Sequence, residues 1–399
     1  MNNTIKLAVA SALVAVASSA NAGIIIPAGD WTLDIGGVVN AYYTSTRESG
    51  NLAGGSSPLG LTNDTGTKTA SNITTGLLPN YLSVSGKTRQ NDLDVGFTIS
   101  IQPGASQTGP LAGGSQENRQ AFLTFGDASW GSIKLGKDLG IFASDAILSD
   151  MTLLGVGSGA GGLAGGTTTL GRIGTGYIYA DWKSQVAYSS PNWNGFSFTA
   201  GVTQAWNSDT SIGRGGNEPA FEAKASYAWA GDFAGKVWVS GISQQVEGIA
   251  STTAVGGRTN ERADAFDIGA NVNVAGFGLT GYYYTGEGIG QTTQFNQGFD
   301  ATGKARDSDG YYVQGTYTLP GVGTKLGLSW GESNLDANGV ADAAAETKDT
   351  MWTLGAYHPL TKHLNLVAEY SDVNREVNTG AAKTEGKAKT VSLGAILFF

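Results

Sequence analysis

Several short stretches carry residues at spacings that some reactions use. Gly327-Leu328-Ser329-Trp330-Gly331 has the spacing of a nucleophile elbow, which needs a sharp strand-to-helix turn under the serine and a base beside it. Here the serine sits inside a run of alternating polarity, and the only histidines, His358 and His363, flank the turn Pro359-Leu360-Thr361-Lys362. A serine with no histidine placed to take its proton is a poor nucleophile, so acyl transfer is not expected. Gly157-Ser158-Gly159-Ala160-Gly161-Gly162 fits the dinucleotide pattern, but no buried strand precedes it and no helix-forming run follows. Gly86-Lys87-Thr88 ends like a phosphate loop, yet Tyr81 stands where that loop requires glycine. Asp307-Ser308-Asp309-Gly310 and Asp336-Ala337-Asn338-Gly339 offer oxygen ligands but lack the downstream bidentate glutamate of a calcium loop. Without cysteine there is no thiolate site. No enzyme, metal or cofactor is expected.

The elements around these residues are strands. Trp31, Leu33, Ile35, Val39, Ala41 and Tyr43 share one face, and Thr32, Asp34, Asn40 and Tyr42 share the other. The same period of two runs through Leu93, Val95, Phe97, Ile99 and Ile101, and again through Leu364, Leu366, Ala368 and Tyr370. About sixteen such segments follow one another, each near the 9 to 11 residues that a tilted strand needs to cross a bilayer. Abundant glycine (61 residues) and 10% aromatics disfavour helix and suit strands. The near-zero hydropathy of the chain then averages a lipid-facing side against a wet one.

Short connections rich in turn formers (Thr88 to Asn91, Asn192 to Gly195, Ala275-Gly276, Pro320 to Thr324) alternate with long polar ones. The long stretches are Ser45 to Gly76, Gly104 to Glu117, Lys137 to Lys183, Asn207 to Asn217, Gln245 to Glu261, Gly286 to Ser308, Ser333 to Thr347 and Val373 to Lys387. This asymmetry predicts an all-β transmembrane antiparallel β-barrel of about sixteen strands, with short periplasmic turns and long extracellular loops. A soluble sandwich would not gather aromatics at segment ends (Trp31, Trp229, Tyr282 to Tyr284, Tyr317, Trp352, Tyr370, Phe398, Phe399) or end on an apolar outward strand. Lys6, the apolar run Leu7 to Ala17 and Ala20-Asn21-Ala22 have the layout of a cleaved secretory signal. Residues 1–22 are therefore read as a signal peptide and 23–399 as one domain. The net charge of −9 falls to −10 without Lys6, which argues against nucleic acid as a partner.

Asn118-Arg119-Gln120-Ala121-Phe122-Leu123, then Gly131-Ser132-Ile133-Lys134-Leu135-Gly136-Lys137, resembles the strands leading into the pore loop of the trimeric general porins of Gram-negative bacteria. Val186-Ala187-Tyr188-Ser189-Ser190-Pro191-Asn192-Trp193-Asn194-Gly195-Phe196 resembles the hairpin after that loop, and the terminal Phe399 resembles the family's assembly signal. The resemblance implies an outer-membrane homotrimer of sixteen-stranded barrels that passes ions and small hydrophilic solutes. It also implies contact with outer-membrane lipid and lipopolysaccharide, and with the barrel assembly machinery through the last strand. It implies a third loop, about 138–183, folded into the lumen, with Asp145 and Asp150 as its acids facing a basic wall that includes Arg119 and Lys134. Alternation assigns Arg119 to the lumen, with Gln120 and Phe122 on the opposite face.

The sequence departs from the family in three places. Tyr81-Leu82-Ser83-Val84 replaces a basic rung with tyrosine, Gly37 stands where some relatives have lysine, and the third loop is glycine-rich from Gly155 to Gly166. With Asp34, Glu222 and Glu369 as further lumen acids, the thinner basic ladder predicts cation preference. Two alternatives stay open. One is a substrate-selective channel with Tyr42, Tyr81, Tyr312 and Trp238 as a greasy track; the other is a closed structural or adhesive barrel.

Overall fold

The computed structural model describes residues 23–52, 69–105, 116–163, 167–205, 217–338 and 346–399. The signal peptide at 1–22 lies outside the described residues, as do parts of the long connections at 53–68, 106–115, 164–166, 206–216 and 339–345. The chain opens with β1 (Ile24–Ala28) and β2 (Trp31–Asn51), then β3 (Thr69–Thr74) and β4 (Tyr81–Gln90). Three strands follow: β5 (Leu93–Pro103), β6 (Gln116–Asp127) and β7 (Gly131–Leu139). The connection after β7 holds a one-turn helix α1 (Ser144–Ser149), a 3-10 turn (Met151–Leu154), and the small hairpin β8 (Ser158–Leu163) and β9 (Thr168–Gly171). Next come β10 (Trp182–Ser189), β11 (Phe196–Thr203), β12 (Ala220–Trp229), β13 (Phe233–Ala250) and β14 (Arg258–Val274). The chain finishes with β15 (Phe277–Glu287), β16 (Asp307–Thr318), β17 (Lys325–Leu335), β18 (Glu346–Pro359), β19 (Leu364–Asn378) and β20 (Lys383–Phe398).

Among the described residues every ladder is antiparallel, each wall strand pairs with the next wall strand along the chain, β7 with β10 across the intervening connection, and β2 closes the ring. One edge of β2 takes β4 along Thr32–Val38 and β3 along Tyr42–Arg47. Its other edge takes β20 along Val38–Asn51 and β1 along Trp31–Ile35. β3 with β4, and β1 with β20, thus each fill one wall position, and the closed barrel has sixteen strands. Closure removes the unpaired edges that would otherwise expose backbone donors and acceptors to hydrocarbon.

The period of two sorts the wall. Val237, Val239, Phe266, Ile268, Leu328 and Leu354 point outward and exposed, while Ser240, Asp267, Ser329 and Thr353 between them are buried inward. Aromatic pairs gather beside the short turns: Trp31 with Phe97, Trp193 with Phe196, Trp229 with Phe233, and Phe277 with Tyr317 at 4.3 Å. That is a girdle at one lipid boundary. Tight turns supply the hairpins: Asn91 and Asp92 both take positive φ between β4 and β5, as do Ala275 and Gly276 between β14 and β15.

The structure corrects three expectations. Only Tyr283 of the Tyr282 to Tyr284 run faces out, because alternation turns Tyr282 and Tyr284 inward, and Phe398 is buried too. The long stretches Gln245 to Glu261 and Val373 to Lys387 are mostly strand, leaving connections of only 251–257 and 379–382. Ladder bonds continue above the lipid, where both faces are wet and the polarity signal fades. Finally, the β5–β6 register shifts between Ser100 and Gln102, where three steps on β6 oppose two on β5. This bulge lets neighbours share a face. Gln120 and Phe122 do not oppose Arg119: Gln120 is buried alongside Arg119, and Phe122 lies under inward Lys134.

Candidate functional site

Bulky inward aromatics need opposing glycines to lie flat. Trp238 sits across the ladder from Gly269, where an added Cβ would fall 2.1 Å from the indole, and Tyr42 likewise covers Gly394. The inner wall so formed carries polar and charged side chains, and the 140–181 connection between β7 and β10 bonds to them around much of the ring.

Two carboxylates accept its backbone. Ile141 and Phe142 N–H both donate to Glu222 Oε2 at 2.8 Å, and Val156 and Gly157 N–H donate to Glu369 Oε2 at 2.7 and 2.8 Å. Gly155 is required beside Glu369, since a Cβ there would fall 2.1 Å from Oε1. Lys183 Nζ meets Glu222 Oε1 at 2.6 Å in a fully buried ion pair. The Tyr42 hydroxyl donates to Leu154 O at 2.7 Å and the Tyr312 hydroxyl to Ala146 O at 2.9 Å. Gln314 takes Met151 N–H and gives to Ser149 O. Arg172, buried in the connection, donates to Met351 O at 3.0 Å and to Ser329 Oγ. Burial pushes its guanidinium below the ordinary value, against the pull of Asp150, but arginine stays charged. The serine of the elbow-like motif thus serves as an acceptor. Ser329 pairs with Thr353, five residues along β18 from His358, or about 16 Å.

On α1, Asp145 forms ion pairs with Lys224 at 3.2 Å and with Lys236. Burial alone would raise its carboxyl, but the two ammonium groups outweigh that and hold it below the usual carboxylate range. Asp150 caps the 3-10 turn, accepting from Thr152 N–H at 2.9 Å and from the Tyr177 hydroxyl at 2.9 Å. Burial and that carboxylate raise the Tyr177 phenol, which remains a donor. On the turn side of these elements lies a chamber of about 860 Å³, lined in part by Met151, Leu154, Lys236, Gln314, Lys325 and Lys362.

The sequence pattern of Gram-negative porins matches residues 8–378. The chain belongs to the Gram-negative porin family. This porin therefore resides in the outer membrane and is a non-enzymatic channel protein. No curated protein sequence matches it. The outer membrane channel DcaP of Acinetobacter baumannii shares 16% identity, with a TM-score of 0.67 over 95% of this chain and 100% of that one. An anion-selective porin from Comamonas acidovorans gives 16% identity and a TM-score of 0.59 over 92% and 100%. OmpT of Vibrio cholerae, folded in vitro and in trimer form, gives 16% and 0.57 over 92% and 99%. At these identities the likeness is one of fold.

In this porin Asp145 meets wall lysines, whereas Asp150 is engaged within its own connection. Arg119 is buried over the Trp182 ring and ion-paired with Glu117 at 2.6 Å. Lys134 bonds to Asp138 four residues on. Tyr42 anchors the connection, Tyr81 packs half-buried against the apolar cluster, and Asp34 is exposed beside Ile25 and Ser85, on the same strand face as Asn40 and Tyr42. Phe399 exchanges both backbone bonds with Gly37. The sequence reading missed Lys183, Lys224, Lys236, Lys325 and Arg172. The signal for Lys224 and Lys236 was available: Ala223 and Ala225 bracket Lys224, and the apolar Phe233, Val237 and Val239 have the parity opposite to Lys236, which marks both lysines as inward.

Proposed function

We propose that this porin passes ions and small hydrophilic solutes by passive diffusion, and that the 140–181 connection narrows its lumen. The observation that carries this reading is the set of bonds between that connection and inward side chains of β2, β12, β16, β17 and β19, with one more to the Met351 carbonyl of β18. Such anchoring preorganises a fixed aperture, and selection then follows from its width and lining charge. Tyr42 and Tyr312 are occupied as loop anchors, and Trp238 is buried, which supports general diffusion over a greasy track.

Charge gives the ion preference. The cation preference read from the sequence rests on Asp34, Glu222 and Glu369, but Glu222 is neutralised by Lys183 and Glu369 is held by two amides and Tyr357. Lys224 and Lys236 share the single carboxylate of Asp145, and Lys325 lies over the Tyr357 ring. The chamber is lined by Lys236, Lys325 and Lys362 against Asp150 and Asp232, so it leans basic by one charge, and weak anion preference is the better-supported reading. Screening over about 10 Å keeps it weak at moderate salt. The trimer form of OmpT supports homotrimeric assembly here. Removal of residues 1–22, a single domain over 23–399, lipid and lipopolysaccharide around the girdle, and recognition of the Phe399 strand by the assembly machinery belong to the same proposal.

Swelling of liposomes containing the purified protein, in sugars of increasing size, tests the function. Swelling that slows smoothly with sugar size supports diffusion; saturable uptake of one solute class supports a selective channel, and no swelling supports a closed barrel.

A further inference from the structure

A porin lumen is normally polar, so apolar residues facing it need covering. Ile242, Val246 and Ile249 of β13 and Ala263 of β14 all point inward and are buried. Ile289 and Phe295, from the 288–306 connection between β15 and β16, are buried in the same apolar cluster. We infer that this connection is a strap across the loop-side mouth, a second size-setting element seated on the 140–181 connection. The inference rests on the pore reading above.

Two glutamines fasten the strap at opposite walls. Gln291 Nε2 donates to Ser333 O at 2.8 Å, while its Oε1 accepts from the Thr347 hydroxyl at 2.7 Å and from Arg375 Nη2 at 3.1 Å. Arg375 on β19 is itself fixed by two 2.6 Å bonds to Asp349. Gln294 Oε1 accepts from Lys183 Nζ on β10 at 2.6 Å, and its Nε2 donates to Tyr179 O at 3.1 Å. Tyr179 N–H donates to Thr292 O at 3.0 Å, and Thr292 lies against Gly174. β10 and β19 stand seven ladders apart by the shorter way round a ring of sixteen, close to a diameter. The strap therefore runs from wall to wall over the inner connection, and solutes must pass beside it.

The chain has no cysteine, so single thiols report cleanly. In the membrane-inserted protein, Thr292→Cys, at 2% exposed, should react with an impermeant maleimide at least about tenfold more slowly than Val255→Cys on the open 251–257 connection, because its thiol is reached only through local opening. Adding Gln291→Ala and Gln294→Ala should speed that reaction. Equal rates at Thr292→Cys and Val255→Cys overturn the strap. Replacing residues 290–304 with Asn-Gly should raise unit conductance and admit larger sugars. Unchanged conductance in a folded variant, beside a conducting parent, overturns its role in size selection alone. A parent that never conducts overturns the pore reading and this inference with it.

Discussion

Buried charge in the barrel interior is tied to backbone. Glu222 holds two amides of the inner connection and is itself balanced by Lys183, with both side chains essentially inaccessible. Removing one partner of such a pair leaves an uncompensated charge in a dry place, which costs about 3–5 kcal/mol. Lys183→Met should therefore lower the thermal transition of the folded barrel, followed by circular dichroism in detergent. Adding Glu222→Gln should recover part of the loss, because the amide oxygen can still accept from Ile141 and Phe142. Additive losses would mean that the two side chains do not act as a pair. At this scale the sequence was least legible. It marked Asp145 as a loop acid but not the lysines that meet it, since they lie 79 and 91 residues downstream. It marked Asp150 as a second loop acid but not its local role: this carboxylate, at the edge of the chamber, also caps the 3-10 turn by accepting from Thr152 two residues on.

Among the elements, strands were legible because one face meets lipid, and legibility stopped where that asymmetry stops. β13 and β14 run to 18 and 17 residues, well past the lipid-facing stretch, so their outer halves read as loop. The bulge in β6 was invisible for a different reason: strict alternation has no term for an inserted residue, and it reversed the relation of Gln120 and Phe122 to Arg119. Glycine inside strands, by contrast, was visible as composition without its cause. The wall explains it, since Gly269 makes room for Trp238 and Gly394 for Tyr42. Gly269→Val should force these strands apart at a cost of about 1–3 kcal/mol, and Trp238→Ala in the same chain should relieve most of it. Heat-modifiable migration of the two variants on detergent gels measures both; a Gly269→Val barrel as stable as the parent would remove this account of the glycines.

For the whole molecule, alternation of tight turns with longer connections was enough to reach a closed ring of sixteen antiparallel strands. It could not show how the interior is furnished. The 140–181 connection is anchored by wall side chains from α1 to Val156 and by its own Arg172 on the Met351 carbonyl, and none of these contacts is local in sequence. The central claim is that a solvent-filled path remains through that furnished interior. Single-channel current across a planar bilayer, with the reversal potential taken in a potassium chloride gradient, tests it most directly. The account predicts stable ohmic openings in groups of three with a weak anion bias. A folded, inserted barrel that carries no current would contradict it.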